Sequence, residues 1–412
     1  MTEPDAPLFR TWQAQRGART MVIDRAENAR IHVPGEGWKW DMASQSYNVN
    51  VGHGRREVIE AMGRALDAAV LTAGPNVDLP ERNILAERLR SMAGMDRVFF
   101  ALSGAEAVEN ALKIAMLVTG RRKVVARRHS YHGATLSTLA VAGDPRREPF
   151  WEGVAGTWID DPYPPRMPDG GRPSDWVESL EAALAAEGPE RVAAVVLEGL
   201  TGTNGVQIPP PDFWPKAREL ADRHGFLLVA DEVFSGLGRT GRTFGFEHFG
   251  GAPDLIVLGK GLTSGYAPLS AVLVSAPVAR HFDDEVLWCG LTHYASPIGC
   301  AAALACLDLI EGDGLVGRAK TLGKALIDVL ADLAKHDDRI ADVRGRGLQI
   351  GIELACPAES VSRALWNEGY FVPAKRHMLY VCPPLTVEAA ALEAFPEVLA
   401  RALAGASAEG ST

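Results

Sequence analysis

Residues 226–265 read FLLVADEVFSGLGRTGRTFGFEHFGGAPDLIVLGKGLTSG, and this stretch decides the fold. It holds two apolar runs, Phe226–Ala230 and Asp254–Leu258. Each run is followed by a polar residue it does not need: Asp231 directly after the first, Lys260 just past the second. Apolar runs of this length, set among helical patterns, read as buried parallel strands. Open parallel sheets collect function at the carboxyl ends of their strands. An acid and an amine are therefore expected on one rim of one sheet.

A lysine beside a carboxylate is ordinarily a structural ion pair. Here Gly259 and Gly261 bracket Lys260, so the backbone can be approached closely. An amine held there away from water can form a Schiff base with an aldehyde. An aspartate facing a ring nitrogen keeps that nitrogen protonated and turns the ring into an electron sink. These are the requirements of pyridoxal 5'-phosphate (PLP).

Asp231-Glu232-Val233, Ser235-Gly236, Gly238-Arg239-Thr240-Gly241 and Gly259-Lys260-Gly261 together resemble the signature of the class III aminotransferases. The resemblance covers nearly the whole chain. It implies an α/β architecture of the PLP-dependent transferase fold type I. A large PLP-binding domain with a mostly parallel seven-stranded sheet is expected over residues 51–290. A small α+β domain is expected over 291–412, with residues 1–50 packing on it. The implied enzyme is a homodimer with shared active sites.

Further landmarks gain roles from the same resemblance. Ser103-Gly104-Ala105 opens a helix whose free amides suit a phosphate, although Ser103 with Glu106 also spells an ordinary capping box. Tyr131, before His132-Gly133, is expected to stack on the cofactor ring, with His132 beside it and Val233 on the opposite face. Glu198 ends another apolar strand, at the cofactor's hydroxyl edge. Thr292 is expected to reach the phosphate in the partner subunit. His129 and His132 have no nearby carboxylate or cysteine to complete a metal set, so no metal is expected.

Tyr47 and Trp12, in a tryptophan-rich N-terminal segment, are assigned to the substrate pocket, with packing beneath that segment as the alternative for Tyr47. Many relatives carry an arginine where this chain has Tyr380, just before a Pro-Pro-Leu turn. Carboxylate recognition favours an arginine fork, so Arg376 is the expected substitute, a solvated loop arginine being its bland alternative. His293 and Tyr294 are bulkier than is common after this threonine, which points to an altered pocket mouth. The motifs Ala142–Arg147, Gly202–Gly205 and Ser264–Leu269 look closest to the branch acting on taurine, β-alanine and similar ω-amino compounds. A terminal amine donor with pyruvate or 2-oxoglutarate as acceptor is expected. Aminomutases, racemases and decarboxylases share the fold and stay open.

One motif points elsewhere. Gly236-Leu237-Gly238-Arg239-Thr240-Gly241 matches GxGxxG after a strand, with Asp254 downstream, as in an NAD-dependent dehydrogenase. The residues that follow, Arg242–Gly251, have no helical face, and several strands precede this one. The dehydrogenase reading is therefore set aside.

The chain has 412 residues, 47% hydrophobic and 23% charged, with a net charge of −10. This composition places it among globular proteins of two ordinary domains. No Lys/Arg-rich stripe supports nucleic acid as a partner, and no run approaches a membrane span. The acidic N-terminus has no apolar signal core, so a cytoplasmic location is expected. Five cysteines without CxxC spacing read as free thiols.

Overall fold

The computed structural model describes residues 7–17, 20–70, 72, 74, 77–151, 157–160 and 176–409. The run VAAVVLE forms the strand Val192–Glu198, and every one of its residues is buried. Both faces of such a strand are covered, so its apolar run does not alternate. Leu227–Asp231 lies parallel on one side of it and Lys123–Arg127 parallel on the other. The full sheet has seven strands. Their spatial order is Arg97–Ala101, Ser270–Val274, Leu255–Leu258, Leu227–Asp231, Val192–Glu198, Lys123–Arg127, Trp158–Ile159. Only Ser270–Val274 runs antiparallel to its neighbours.

Alternation sorts the side chains onto two cores. Val196, Val229, Val257 and Val272 share one face with Ala107, Ala111 and Ile114 of the helix Gly104–Thr119. Val195, Leu228, Ile256 and Leu258 join the opposite core with Phe213 and Trp214. With both faces packed, polar side chains at strand ends are left only the rim.

The chain's two ends meet. Gly37–Asp41 belongs to an N-terminal antiparallel group and pairs in parallel with Tyr370–Phe371, Tyr370 opposite Trp40. A further antiparallel sheet combines Ile340–Arg346, Gln349–Leu354, Met378–Val381 and Ala374–Lys375. Ala374–Lys375 and Met378–Val381 form a tight hairpin with Arg376 at its tip, at φ 56°.

The two apolar runs of the opening stretch form the strands Leu227–Asp231 and Leu255–Leu258, within a residue of their reading. The short strands Trp158–Ile159, Tyr370–Phe371 and Ala374–Lys375 carry too few residues for a sequence pattern. The last helix spans Ala389–Glu409. Of the loop expected at Asp160–Gly171, residues 161–171 lie outside the described residues. Tyr294 is half-buried. Its ring packs on Phe99 and Phe100 at 5.3 and 6.1 Å, against the edge strand.

Candidate active site

Glu198 and Asp231 end adjacent parallel strands and stand opposite each other in register. Both carboxyls are buried. Asp231 Oδ1 accepts the Val233 amide at 3.1 Å, and Oδ2 meets His132 Nδ1 at 2.7 Å. A carboxylate only accepts, so the imidazole donates from Nδ1. Burial works to lower the His132 pKa. The Asp231 hydrogen bond and charge, with Glu198 behind, outweigh it, and the ring ends above its ordinary value.

Glu198 is pushed up to about 7, first by burial and then by the Asp231 charge against the pull of His132. Its Oε1 accepts the Gly202 amide at 3.1 Å. Two buried atoms on this rim, His132 Nε2 and Glu198 Oε2, have no hydrogen-bond partner among the described residues. Buried polar atoms are rarely left so, and two together mark a place built for another molecule.

Lys260 follows the strand Leu255–Leu258 in a short 3-10 turn. Its φ of 39° lies in the left-handed region, which L side chains rarely occupy. Its carbonyl, accepting from Thr263 and Ser264 at 3.2 and 3.0 Å, holds it there. The flanking glycines are both crowded: a Cβ on Gly261 would stand 2.3 Å from Asn50 Nδ2, and one on Gly259 3.3 Å from Val233 Cγ1. Lys260 Nζ lies over the Phe234 ring at 4.5 Å and the Tyr47 ring at 5.8 Å. Burial lowers the amine to about 8, while Asp231 and Glu198 resist that shift. Near neutral pH a useful fraction is unprotonated and nucleophilic.

The helix Gly104–Thr119 opens with the capping box: Ser103 Oγ accepts the Glu106 amide, and Glu106 Oε2 accepts the Ser103 amide. The Gly104 and Ala105 amides sit in the first turn and have no intrahelical acceptor. A Cβ on Gly104 would stand 3.0 Å from Val233 Cγ1. Val233 thus links the Asp231 strand end to this helix start. The anion-binding and capping readings are compatible, because they use different amides.

Tyr131 is half-buried, with the Arg146 guanidinium 3.8 Å above its ring and Trp12 on that guanidinium at 4.9 Å. Tyr47 packs between Phe234 and Tyr380 at 4.7 and 6.2 Å. Tyr380 Oη donates to the Thr203 carbonyl at 2.7 Å. Thr292 is exposed on the segment leading into the helix Pro297–Gly312, and Arg376 is exposed at its hairpin tip. The structure thus brings Lys260, Asp231, His132, Glu198, Val233, Tyr47 and Tyr380 into one connected set and leaves Thr292 and Arg376 outside it.

Phe234, whose ring lies 4.5 Å from Lys260 Nζ, was not singled out from the sequence. Phe234 directly follows Val233, and its position in the motif was its only signal. The GxGxxG segment forms turns rather than a helix, and Asp254 bonds Arg218 and the Leu228 amide. The dehydrogenase reading has no nucleotide-binding helix to stand on. Among the described residues no group of three or more His, Cys, Asp or Glu is placed to hold a metal ion.

These residues fit PLP: a carboxylate–imidazole pair for the ring nitrogen, an amine of lowered pKa for the aldehyde, free helix amides for the phosphate and orphaned rim atoms between them. Before cofactor binds, Glu198 makes a testable contribution to stability. Its folded pKa lies above the unfolded value of 4.5. Its contribution is full below that value and is lost as pH rises through about 7. In the cofactor-free protein, Glu198→Gln is expected to remove roughly 3 kcal/mol of the stability lost between about pH 5 and about pH 8, as read by urea unfolding. An unchanged decline contradicts the assignment.

Comparison with known proteins agrees with this geometry. The family described as Aminotransferase class-III matches residues 12–403. A taurine–pyruvate aminotransferase of Rhodobacter capsulatus is 32% identical over 351 residues, 79% of this chain and 76% of that protein. An acetylornithine aminotransferase of Mycobacterium bovis is 39% identical over 369 residues, 86% of each. A PLP-bound amine transaminase from an uncultivated Pseudomonas species superposes with a TM-score of 0.91 at 30% identity, covering 98% of this chain and 99% of that one. Family match, fold and rim chemistry coincide: the chain belongs to the class III aminotransferases and is a PLP-dependent enzyme that transfers an amino group to a keto acid.

Proposed function

We propose that the donor is a terminal (ω) amine or amino acid of the taurine and β-alanine type, and the acceptor pyruvate or 2-oxoglutarate. The observation that carries this reading is the Lys260 amine, lowered to about 8 and facing the aromatic wall of Phe234 and Tyr47. An unbranched amine carbon fits beside such a wall, with its acid group further out. The taurine–pyruvate relative supports the donor class.

When bound, PLP supplies an aldehyde that takes up the amino group and a pyridinium that delocalises the electron pair left at the donor carbon. Lys260 Nζ would hold the cofactor, then remove the donor-carbon proton and return it on the cofactor side. Asp231, with His132 locked on its Oδ2, would keep the ring-nitrogen proton in place. Val233 and Tyr131 would hold the two ring faces, and the Gly104 and Ala105 amides the phosphate, with Ser103 capping the helix. Glu198 would sit at the hydroxyl edge, its raised pKa making it a proton carrier there.

The homodimer belongs to this reading as well. Thr292 is exposed, and close before it Val286 and Trp288 are 59% and 70% exposed. Adjacent exposed apolar side chains suit a subunit contact. Such a contact would bring Thr292 to the partner's phosphate. The division into a large domain over 51–290 and a small one over 291–412 joined by residues 1–50, and a cytoplasmic location, complete the proposal. No described helix is long and apolar enough to cross a membrane.

The test is a matrix of amines (taurine, β-alanine, acetylornithine and an uncharged alkylamine) against pyruvate and 2-oxoglutarate, with both products followed. Taurine or β-alanine as the best donor supports the proposal. Acetylornithine as the best donor keeps the terminal amine but overturns the taurine and β-alanine type.

A further inference from the structure

A ring of contacts links the aromatic side chains at Lys260 to the Asp231–His132 pair. It starts at the Phe234–Tyr47–Tyr380 wall and passes through the Thr203 carbonyl. Lys375 Nζ approaches that carbonyl at 3.4 Å and bonds Asn204 Oδ1 at 2.9 Å. Asn204 Nδ2 donates to Asp144 Oδ2 at 3.1 Å. Asp144 accepts from Arg146 Nε and Nη2 at 2.7 and 2.9 Å. Arg146 lies on Tyr131, the neighbour of His132, which closes the ring at Asp231.

The two halves of this ring differ in chemistry. The inner half is aromatic. The outer half carries two cations, Arg146 and Lys375, held by one buried carboxylate. The Asp144 side chain is 1% exposed, while those of Arg146 and Lys375 are 26% and 42% exposed. Two cations less one carboxylate leave one positive charge facing outward. Asp144 is lowered to about 2: burial opposes this, but Arg146 and Asn204 prevail, so the anchor stays ionised. Thr203 Oγ1, between the wall and Lys375, is buried with no hydrogen-bond partner among the described residues. A local ion pair for stability alone would need neither the second cation nor the orphaned hydroxyl.

We propose that Arg146 and Lys375 form the subsite that receives the acid group, carboxylate or sulfonate, of the substrate whose amine or carbonyl carbon lies at Lys260. This deepens the donor and acceptor reading above and rests on it. It gives the acid-binding role to the rim cations rather than to Arg376. Arg146 keeps its Nη1 edge for the ligand while its other edge is pinned by Asp144. The aromatic stack of Trp12 and Tyr131 fixes the plane of the guanidinium.

The test uses the PLP-loaded enzyme and two unreactive probes of one size, propanoate and propanamide, titrated by calorimetry. Arg146→Ala and Lys375→Met are each expected to weaken propanoate about tenfold to a hundredfold, the range of charge-assisted hydrogen bonds, with propanamide changed less than about twofold. Arg146→Lys is expected to recover most of the propanoate affinity, which a purely structural arginine would not show. Equal losses for both probes, no loss for either, or a propanoate loss confined to Arg376→Ala overturns the proposal. Calorimetry reads acid binding whether or not amino transfer follows. A failure of the donor reading in the turnover matrix is thus a separate result.

Discussion

Replacing Lys260 with alanine is expected to lower turnover by a factor on the order of 10⁴ or more, because general base and covalent anchor are lost together. Lys260→Arg is expected to fare no better. A guanidinium cannot give up its proton in a protein, so it is neither nucleophile nor base. The effect should fall on kcat, since the proposed substrate contacts come from Tyr47, Tyr380 and the rim. The geometry makes the lysine special in two ways. Burial lowers its amine to about 8, and the turn holds it at φ 39°, where the side chain lies over Phe234. Retained amino transfer in either variant, measured by product formation from both substrates, removes Lys260 from the chemistry.

Asp231→Asn is expected to cost a factor on the order of 10²–10³ in kcat, the scale for removing one preorganised charge from a transition state. The amide keeps the size of the side chain but loses the charge that holds a ring-nitrogen proton. It also changes His132. Without the carboxylate opposite Nδ1, only Glu198 still offsets the burial of this imidazole, and its pKa is expected to fall. Nuclear magnetic resonance titration of His132 alongside the rates separates this account from simple misfolding. A fall in kcat with an unmoved His132 titration contradicts the Asp231–His132 coupling.

The large sheet was legible because buried parallel strands are continuous apolar runs, and its polar endings could sit only on the rim. Asp231, Glu198 and Lys260 were readable for that reason. The pairing of Tyr370–Phe371 with Gly37–Asp41 was not, since two residues carry no periodicity and their partner lies at the other end of the chain. The cations at the rim were hidden for another reason. In the hairpin 374–381, adjacent residues point to opposite sides. Carboxylate chemistry singled out Arg376 for its fork, while the strand delivers its neighbour Lys375 to Thr203 and Asn204. Arg146 was quoted only within the motif Ala142–Arg147. The role proposed for it depends on Asp144, Asn204 and Tyr131 meeting in space, which no local pattern encodes. The capping box at Ser103 was readable from spacing alone, because its partners lie within one helical turn.

The central claim is that Lys260 Nζ is the atom that holds PLP, and borohydride trapping tests it most directly. The yellow holoenzyme is reduced, digested and mapped by mass spectrometry. The expected result is loss of colour with the cofactor fixed on the peptide containing Lys260, and no such adduct in Lys260→Ala. Recovery of the cofactor free in solution, or on a different lysine, contradicts the account.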